Sequence, residues 1–303
     1  MSPPKSSAGV PITPMQLLTT IASLRAHLEP YRRQGAKIGF VPTMGALHEG
    51  HRALMRRARA ECDVVAASIF VNPTQFTEIE DFEKYPRNPA RDHAACAEEG
   101  VDVVYEPEIG EMYPSGFDTV VVVRGLSDKL EGASRPGHFQ GVATVVSKLF
   151  LIALPTRAYF GLKDYQQLQV IKRMTTDLNI PTEIVACETV READGLAMSS
   201  RNVRLSPQQR HAALVISRAL SDAQEIADTG VHDAYQIRAY MRAAIENEPL
   251  ADLDYAVIVD PDELKEVDTI DAGAVALIAA RFGSVRLIDN RPLTPAPGYE
   301  VRR

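Results

Sequence analysis

The chain has 303 residues, 45% of them hydrophobic and 24% charged, and a formal net charge of −7. Those proportions fit a soluble globular protein of one large domain or two modest ones, and the acidic balance argues against an extended nucleic-acid surface. Cys62, Cys96 and Cys187 are scattered with no C-x-x-C, which suits reduced thiols better than disulfides or zinc; with no apolar run long enough to span a membrane and no secretory segment at the amino terminus, a cytoplasmic protein is expected.

Residues 1–12 are rich in Pro and Ser and are expected to be disordered. Thr13 and Pro14 read as the N-cap and first residue of a helix. Leu17, Leu18, Ile21, Leu24 and Leu28 mark its face, and Pro30 ends it. Residues 38–41 read as a buried strand and 42–47 as a turn-rich loop. A helix follows over 51–61 through Leu54, Met55 and Ala58, then a second buried strand over 64–71. Strand, loop, helix, strand is a βαβ unit. Residues 74–87 are a polar loop. A helix opens at Asn88-Pro89 and closes at Gly100, and strands are expected at 101–105 and 119–123. The stretch 125–141 is a long loop rich in glycine and charge, and loops of that length are usually functional or mobile. Helix 142–154, strand 157–160, helix 164–178 and strand 182–187 complete an alternation. It predicts an α/β fold with a doubly wound, mainly parallel, Rossmann-like sheet.

The character changes near Thr189. Residues 191–202 form a polar loop. Ser206-Pro207-Gln208-Gln209 is a capping box that starts a helix, and a second helix spans 233–246. Strands are expected at 254–259, 274–282 and 285–288, the last two joined by a hairpin at Gly283-Ser284. We therefore expect a Rossmann-like domain over 1–189 and a smaller α+β lid domain over 190–303.

Four stretches carry candidate chemistry. The first is His48-Glu49-Gly50-His51, between a strand and a helix N-terminus, where α/β sheets bind ligands and backbone N–H groups favour phosphate. The helical zinc-protease motif fails because position 52 is Arg. A P-loop fails because His51-Arg52 stand where Lys and Ser/Thr are required. H-x-G-H remains, with two imidazoles three apart on one face of a turn and Gly50 leaving room for a ligand. Taken alone, it is better described as one capping and one packed histidine in an ordinary turn. The second stretch ends a strand with Asn72, Pro73, Thr74 and Gln75, whose amides suit a polar ligand or merely an Asn-Pro turn. The third is Gly161-Leu162-Lys163-Asp164-Tyr165-Gln166-Gln167, where Asp164 and Gln167 have capping-box spacing. Lys163 opposes the helix dipole unless an anion binds there. The fourth is Met198-Ser199-Ser200-Arg201-Asn202, two hydroxyls and a guanidinium that suit a phosphate chain or a solvated interdomain loop. Arg135, in the Gly-rich loop, is a fifth candidate, alone an ordinary surface charge.

Together these motifs resemble the pantoate–β-alanine ligase (pantothenate synthetase) family, of the H-x-G-H nucleotidyltransferase superfamily. The resemblance rests on Pro42-Thr43-Met44-Gly45-Ala46-Leu47-His48-Glu49-Gly50-His51, the FVNPTQF stretch at 70–76, Tyr85-Pro86-Arg87, FGLKDYQQ at 160–167 and READGLAMSSRN at 191–202. It covers about residues 38–290. It implies that pantoate and β-alanine are joined using ATP, through a pantoyl adenylate, with release of pyrophosphate and AMP. It also implies that Met44, Gly45, Ala46, Leu47, His48, Glu49, Gly50 and His51 contact ATP. Gly161, Leu162, Lys163, Asp164, Val190, Met198, Ser199, Ser200 and Arg201 match further ATP contacts. Gln75 and Gln167 match the pantoate site, with Gln75 near β-alanine, and Asn72 and Arg135 match secondary polar contacts. His51, His48, Lys163, Ser199 and Arg201 are the expected catalytic set, with the histidines as hydrogen-bond donors to phosphate. Magnesium is expected with ATP, though the segment around Asp92 is less acidic than expected near a metal, and no metal ligand is assigned. Family members are expected to be homodimers. No nucleic-acid or membrane partner is expected. The alternatives are another nucleotidyltransferase, which should need a further cation near its acceptor, and a non-catalytic nucleotide-binding module.

Overall fold

The structure is a computed structural model that describes residues 14–77 and 79–294. The expected disordered tail at 1–12 and the expected cap Thr13 lie outside the described residues. Six strands form one parallel sheet: β1 (Gln16–Leu18), β2 (Ile38–Thr43), β3 (Val64–Ile69), β4 (Val103–Tyr105), β5 (Arg157–Gly161) and β6 (Glu183–Cys187). Strand side chains alternate between faces. Phe40, Val64, Ala66, Val103 and Tyr105 therefore enter one core, and Val41, Val65, Ala67 and Val104 the other. Helices α1 (Ile21–Arg33), α7 (His138–Ala153) and α8 (Tyr165–Asp177) cover the first face through Leu24, Phe150 and Leu168. Helices α2 (Glu49–Glu61) and α4 (Pro89–Glu98) cover the second through Met55 and Cys96. The expected doubly wound parallel sheet is thus present.

The strand order is β1-β4-β3-β2-β5-β6. From β2 the chain winds outward through β3 and β4, then returns to β2's other flank with β5 and β6. The crevice at the carboxyl ends of β2 and β5 is the switch point where such sheets bind ligands.

Four local expectations are corrected. Gln16–Leu18 is a strand paired with Val103–Tyr105, because a distant partner outweighs the local leucine spacing. The following helix begins after Thr20, which caps it with Ser23, and it runs through Pro30 to Arg33. Proline there removes one hydrogen bond, and the buried Leu24 and Leu28 hold the turn in place. Residues 119–123 form no strand among the described residues, with Val123 buried and Val120 and Val122 exposed. Finally, the long loops contain structure: a 3-10 turn (Pro73–Gln75) and α3 (Ile79–Glu83) in one, α6 (Glu131–Ser134) and the start of α7 in the other. The short helix α5 (Ile109–Met112) lies between β4 and this second loop.

The later chain forms an antiparallel sheet of β7 (Asp252–Val259), β8 (Ala274–Phe282) and β9 (Val285–Leu293) in that order. Helix α9 (Pro207–Ala212) starts at the expected Ser206–Gln209 capping box. Helices α10 (Leu214–Asp228) and α11 (Ala234–Glu246) pack on the sheet through Ile216, Leu220, Ile237 and Met241. Val259, Leu264, Val275 and Leu277 share a core with Phe160 and Tyr165 of the parallel-sheet unit. Arg286 also forks onto buried Glu131 of α6 at 2.5 and 2.7 Å, and Tyr255 donates to the same carboxylate at 2.8 Å. No helix among the described residues is long and apolar enough to cross a membrane.

Candidate active site

The loop after β2 makes its turn with two residues in the left-handed region, Gly45 at φ 79° and Ala46 at φ 50°. Glycine tolerates this freely, whereas alanine must be held there. Asp92, on α4 and 2% exposed, holds it. Its carboxylate accepts from Ala46 N at 2.9 Å and Leu47 N at 2.8 Å.

His48 caps α2. Its Nδ1 accepts from Gly50 N at 3.1 Å, and Nδ1 of His51 accepts from His48 N at 3.3 Å. A neutral imidazole carries one N–H, so two accepting Nδ1 atoms put both protons on Nε2. The ring centroids are 4.1 Å apart, as the three-residue spacing implies. Burial lowers the pKa of His48, and the Lys163 ammonium adds to it. Burial lowers that of His51 to about 3, with His48 and Lys163 contributing. The site therefore holds two neutral rings, each with one Nε2–H donor. The plain and the functional readings of the motif coexist: Nδ1 caps the helix while the rings line a cleft.

Most N–H groups of this loop already have internal partners. The N–H groups of Gly45, Ala46, Leu47, His48 and Gly50 end on Thr43, Asp92 or the two imidazoles, and that of His51 returns to the His48 carbonyl at 2.9 Å. Most of the N–H groups at this helix start are thus taken by internal partners, two of them the helix's own histidines. Gly50 makes room for His48, because a Cβ there would stand 2.9 Å from Cε1 of that ring, and it also lines the cleft.

At the end of β5 the chain makes one 3-10 turn, Leu162–Asp164, before α8. Asn290 of β9 fixes the turn by donating to the carbonyls of Leu162 and Lys163 at 2.8 and 2.9 Å. The expected Asp164–Gln167 capping box is absent: Asp164 makes no capping bond, and its carboxylate meets Lys163 Nζ at 3.2 Å. Burial opposes the charge on Asp164, but Lys163 and Arg201 outweigh it and hold the carboxyl below its ordinary range. The 198–202 loop folds back so that Met198 N donates to Val190 O at 2.9 Å. Arg201 stands 3.6 Å from Asp81.

These three segments enclose a cavity of about 180 Å³. It is lined by Met44, His48, Gly50 and His51 from the first, by Gly161, Lys163, Asp164 and Gln167 from the second, and by Val190, Met198, Ser199, Ser200 and Arg201 from the third. Gly45, Ala46, Leu47, Glu49 and Leu162 do not line it. Leu47 enters the core, and Glu49 pairs with Arg56 and Arg52. A contiguous chamber of about 380 Å³ shares Lys163, Asp164, Ser199 and Arg201 and adds Arg135, Arg204, Arg281 and Arg286.

Gln75 and Asn72 line neither space. Gln75 donates to Met44 Sδ at 3.0 Å, and its Oε1 accepts from Asn72 at 3.0 Å. Asn72, 1% exposed, also donates to Gly141 O and accepts from Tyr113, so it stands behind Gln75. Arg135 donates to His138 Nε2 at 3.1 Å, and His138 Nδ1 donates to Gln75 O at 2.8 Å. Burial, with Arg135 beside it, lowers the pKa of His138 to about 4.

Sequence reasoning missed several participants. Tyr85 lines the cavity, and its signal was present in Tyr85-Pro86-Arg87. Asp92, His138 and Asn290 have no local signal, because each acts on a segment distant in sequence. Among the described residues no group of three or more His, Cys, Asp or Glu side chains could hold a metal ion.

The model of the family described as pantoate-beta-alanine ligase matches residues 16–292. A pantothenate synthetase of Roseiflexus sp. (strain RS-1) is 55% identical over 276 residues, spanning 91% of this chain and 98% of that protein. The crystal structure of pantothenate synthetase from Thermus thermophilus is 49% identical, with a TM-score of 0.88, over 93% of this chain and all of the other. That of pantoate-beta-alanine ligase from Francisella tularensis, complexed with beta-gamma ATP and beta-alanine, is 35% identical with a TM-score of 0.75, over 91% of this chain and 97% of that one.

Proposed function

The chain belongs to the pantoate–β-alanine ligase family, and from that premise we propose how its cleft performs the reaction. The enzyme joins pantoate to β-alanine using ATP. The pantoate carboxylate attacks the α-phosphorus, giving pantoyl adenylate and pyrophosphate. The amine of β-alanine then attacks the acyl carbon and releases pantothenate and AMP.

The observation that carries the residue assignment is the pair of neutral imidazoles with Nε2–H donors, set beside Lys163, Ser199 and Arg201 at the switch point of the sheet. Phosphoryl-type transfer depends on positioning and charge stabilisation. His48 and His51 donate to phosphate oxygens, and the two cations offset the charge that grows on them. With most loop N–H groups on internal partners, side chains carry most of this work. Gln167 reaches pantoate from α8, and Gln75 meets pantoate and β-alanine from the 3-10 turn, with Asn72 and His138 fixing its place. Neutral amides suit a carboxylate nucleophile, because a cation would quench it. Arg135 presents a cation to the second chamber.

The test is pantoate-dependent ATP–pyrophosphate exchange without β-alanine, followed by AMP release when β-alanine is added. Absence of both from folded protein would refute this reading.

Magnesium would accompany the nucleotide and offset charge on its phosphates, with phosphate oxygens and water as its main ligands. Exchange that survives chelation would count against it. The described residues up to 189 form the nucleotide- and pantoate-binding domain, and those from 190 to 294 a lid. Arg281 and Ser284 on the chamber wall support the lid reading, and identical domain positions in ligand-free and adenylate-bound crystals would oppose it. The enzyme works as a cytoplasmic homodimer. Exposed Val120 and Val122 offer a surface for the second copy, and three free buried cysteines fit a reducing compartment. A monomeric mass by sedimentation would remove the dimer, and fractionation with an extracytoplasmic compartment would remove the location.

A further inference from the structure

We propose that Asp92 is a positioning residue for adenylation, acting through the left-handed turn that aims His48 and His51. Asp92 is 2% exposed and forms no ion pair among the described residues. Burying a carboxylate without a cation is costly unless hydrogen bonds replace its water. Here both oxygens are used: Oδ2 accepts from Ala46 N and Oδ1 from Leu47 N. The charge also lies in the first turn of α4, where the helix dipole favours it. One carboxylate therefore pins two successive N–H groups of a turn that contains a non-glycine residue at φ 50°.

The consequence falls on the next residues. Leu47 N–H is the last fixed point before His48, whose own N–H is the partner of His51 Nδ1. The direction of the Ala46-Leu47 backbone thus sets where His48 begins, and His48 sets the tilt of His51. Gly45 fits the same contact: a Cβ there would lie 2.9 Å from Asp92 Oδ2 and 3.3 Å from Ile69. The carboxylate, the two N–H groups and the glycine form one clamp, on the side of the loop away from the cavity. Asp92 lines neither the cavity nor the adjoining chamber. It preorganises the donors that do.

The proposal rests on the placement of His48 and His51 against phosphate, and the experiment separates the two. Pantoate-dependent ATP–pyrophosphate exchange is measured for Asp92→Asn, His51→Ala and the double variant, with thermal unfolding of each. Asn keeps the shape but replaces one acceptor oxygen with an NH₂ group that faces a backbone N–H. Asp92→Asn is expected to lower the exchange kcat about a hundredfold, the scale of a misplaced catalytic donor. The double variant should be no more than about threefold slower than His51→Ala alone, because residues that act through one another are non-additive. A merely structural role predicts losses that multiply. Normal exchange by His51→Ala overturns the histidine placement. Slow exchange by His51→Ala with normal exchange by Asp92→Asn, or multiplied losses, overturns the role of Asp92 alone. If Asp92→Asn does not fold, Gly45→Ala displaces the same carboxylate and must show the same non-additivity with His51→Ala; normal exchange or multiplied losses in that variant overturn the proposal.

Discussion

His51 and Lys163 act at the scale of single groups. Each supplies a donor or a charge fixed before the reaction, so His51→Ala and Lys163→Ala should each slow adenylation at least about a hundredfold in the exchange assay. Near-normal exchange by either variant would remove its assigned role. His138 lends itself to a pH measurement. Folded, it takes up a proton only at about pH 4; unfolded, it does so near pH 6.5. The folded value is the lower one, so its contribution to stability is fully present above about pH 6.5 and is lost as the pH falls toward 4. Between pH 7 and pH 5 this residue should account for about 2 kcal/mol of lost stability. His138→Gln should flatten the urea-unfolding profile over that interval by about the same amount, and an unchanged slope would show that His138 does not titrate as described.

At the scale of elements, the pantoate side of the site depends on a helix pressed against a turn. Gly141 of α7 lies so close to the 3-10 turn that a Cβ would stand 2.3 Å from Thr74 O. Backbone cannot yield as a flexible side chain can, so Gly141→Ala must move the turn that carries Gln75. It should cost about 1–3 kcal/mol as overpacking and raise the pantoate concentration needed for half-maximal exchange more than that of ATP. Gln75→Ala should show the same pantoate preference with little loss of stability. Equal effects on both substrates in the two variants would displace Gln75 from the pantoate site. The H-x-G-H helix start also belongs to this scale: the N–H groups of Gly50 and His51 are satisfied internally, and the element turns two imidazoles toward the cleft.

For the whole molecule, the decisive contact is the junction between the two sheets. Arg286 and Glu131 have side chains only 13% and 8% exposed. Removing one partner of such a pair leaves the other charge buried, at a cost of about 3–5 kcal/mol. Arg286→Ala should lose stability in that range by urea unfolding, and a loss below about 1 kcal/mol would show that water or Tyr255 compensates Glu131. Asn290 makes the same connection from β9 to the carbonyls of Leu162 and Lys163, so the position of the cation in the cleft depends on a residue 127 positions away.

The sequence by itself determined whatever is written in local spacing. Apolar runs separated by helical patterns specified the alternation and hence the parallel sheet. Ser206 and Gln209 specified a helix start, and the three-residue spacing of His48 and His51 placed their rings together. Several long motifs in order specified the family. Tertiary structure decided what depends on partners far apart in the chain. Gln16–Leu18 became a strand only because Val103–Tyr105 lies beside it, while residues 119–123 have the alternation of a strand and no neighbour to pair with among the described residues. Asp164 has cap spacing, yet it makes no capping bond and its carboxylate meets the Lys163 ammonium. The partners of the loop after β2 were also decided by folding: Asp92 and the two imidazoles take four of its N–H groups. Local patterns record which backbone conformation is favourable, whereas hydrogen-bond satisfaction and burial are settled only when distant segments meet.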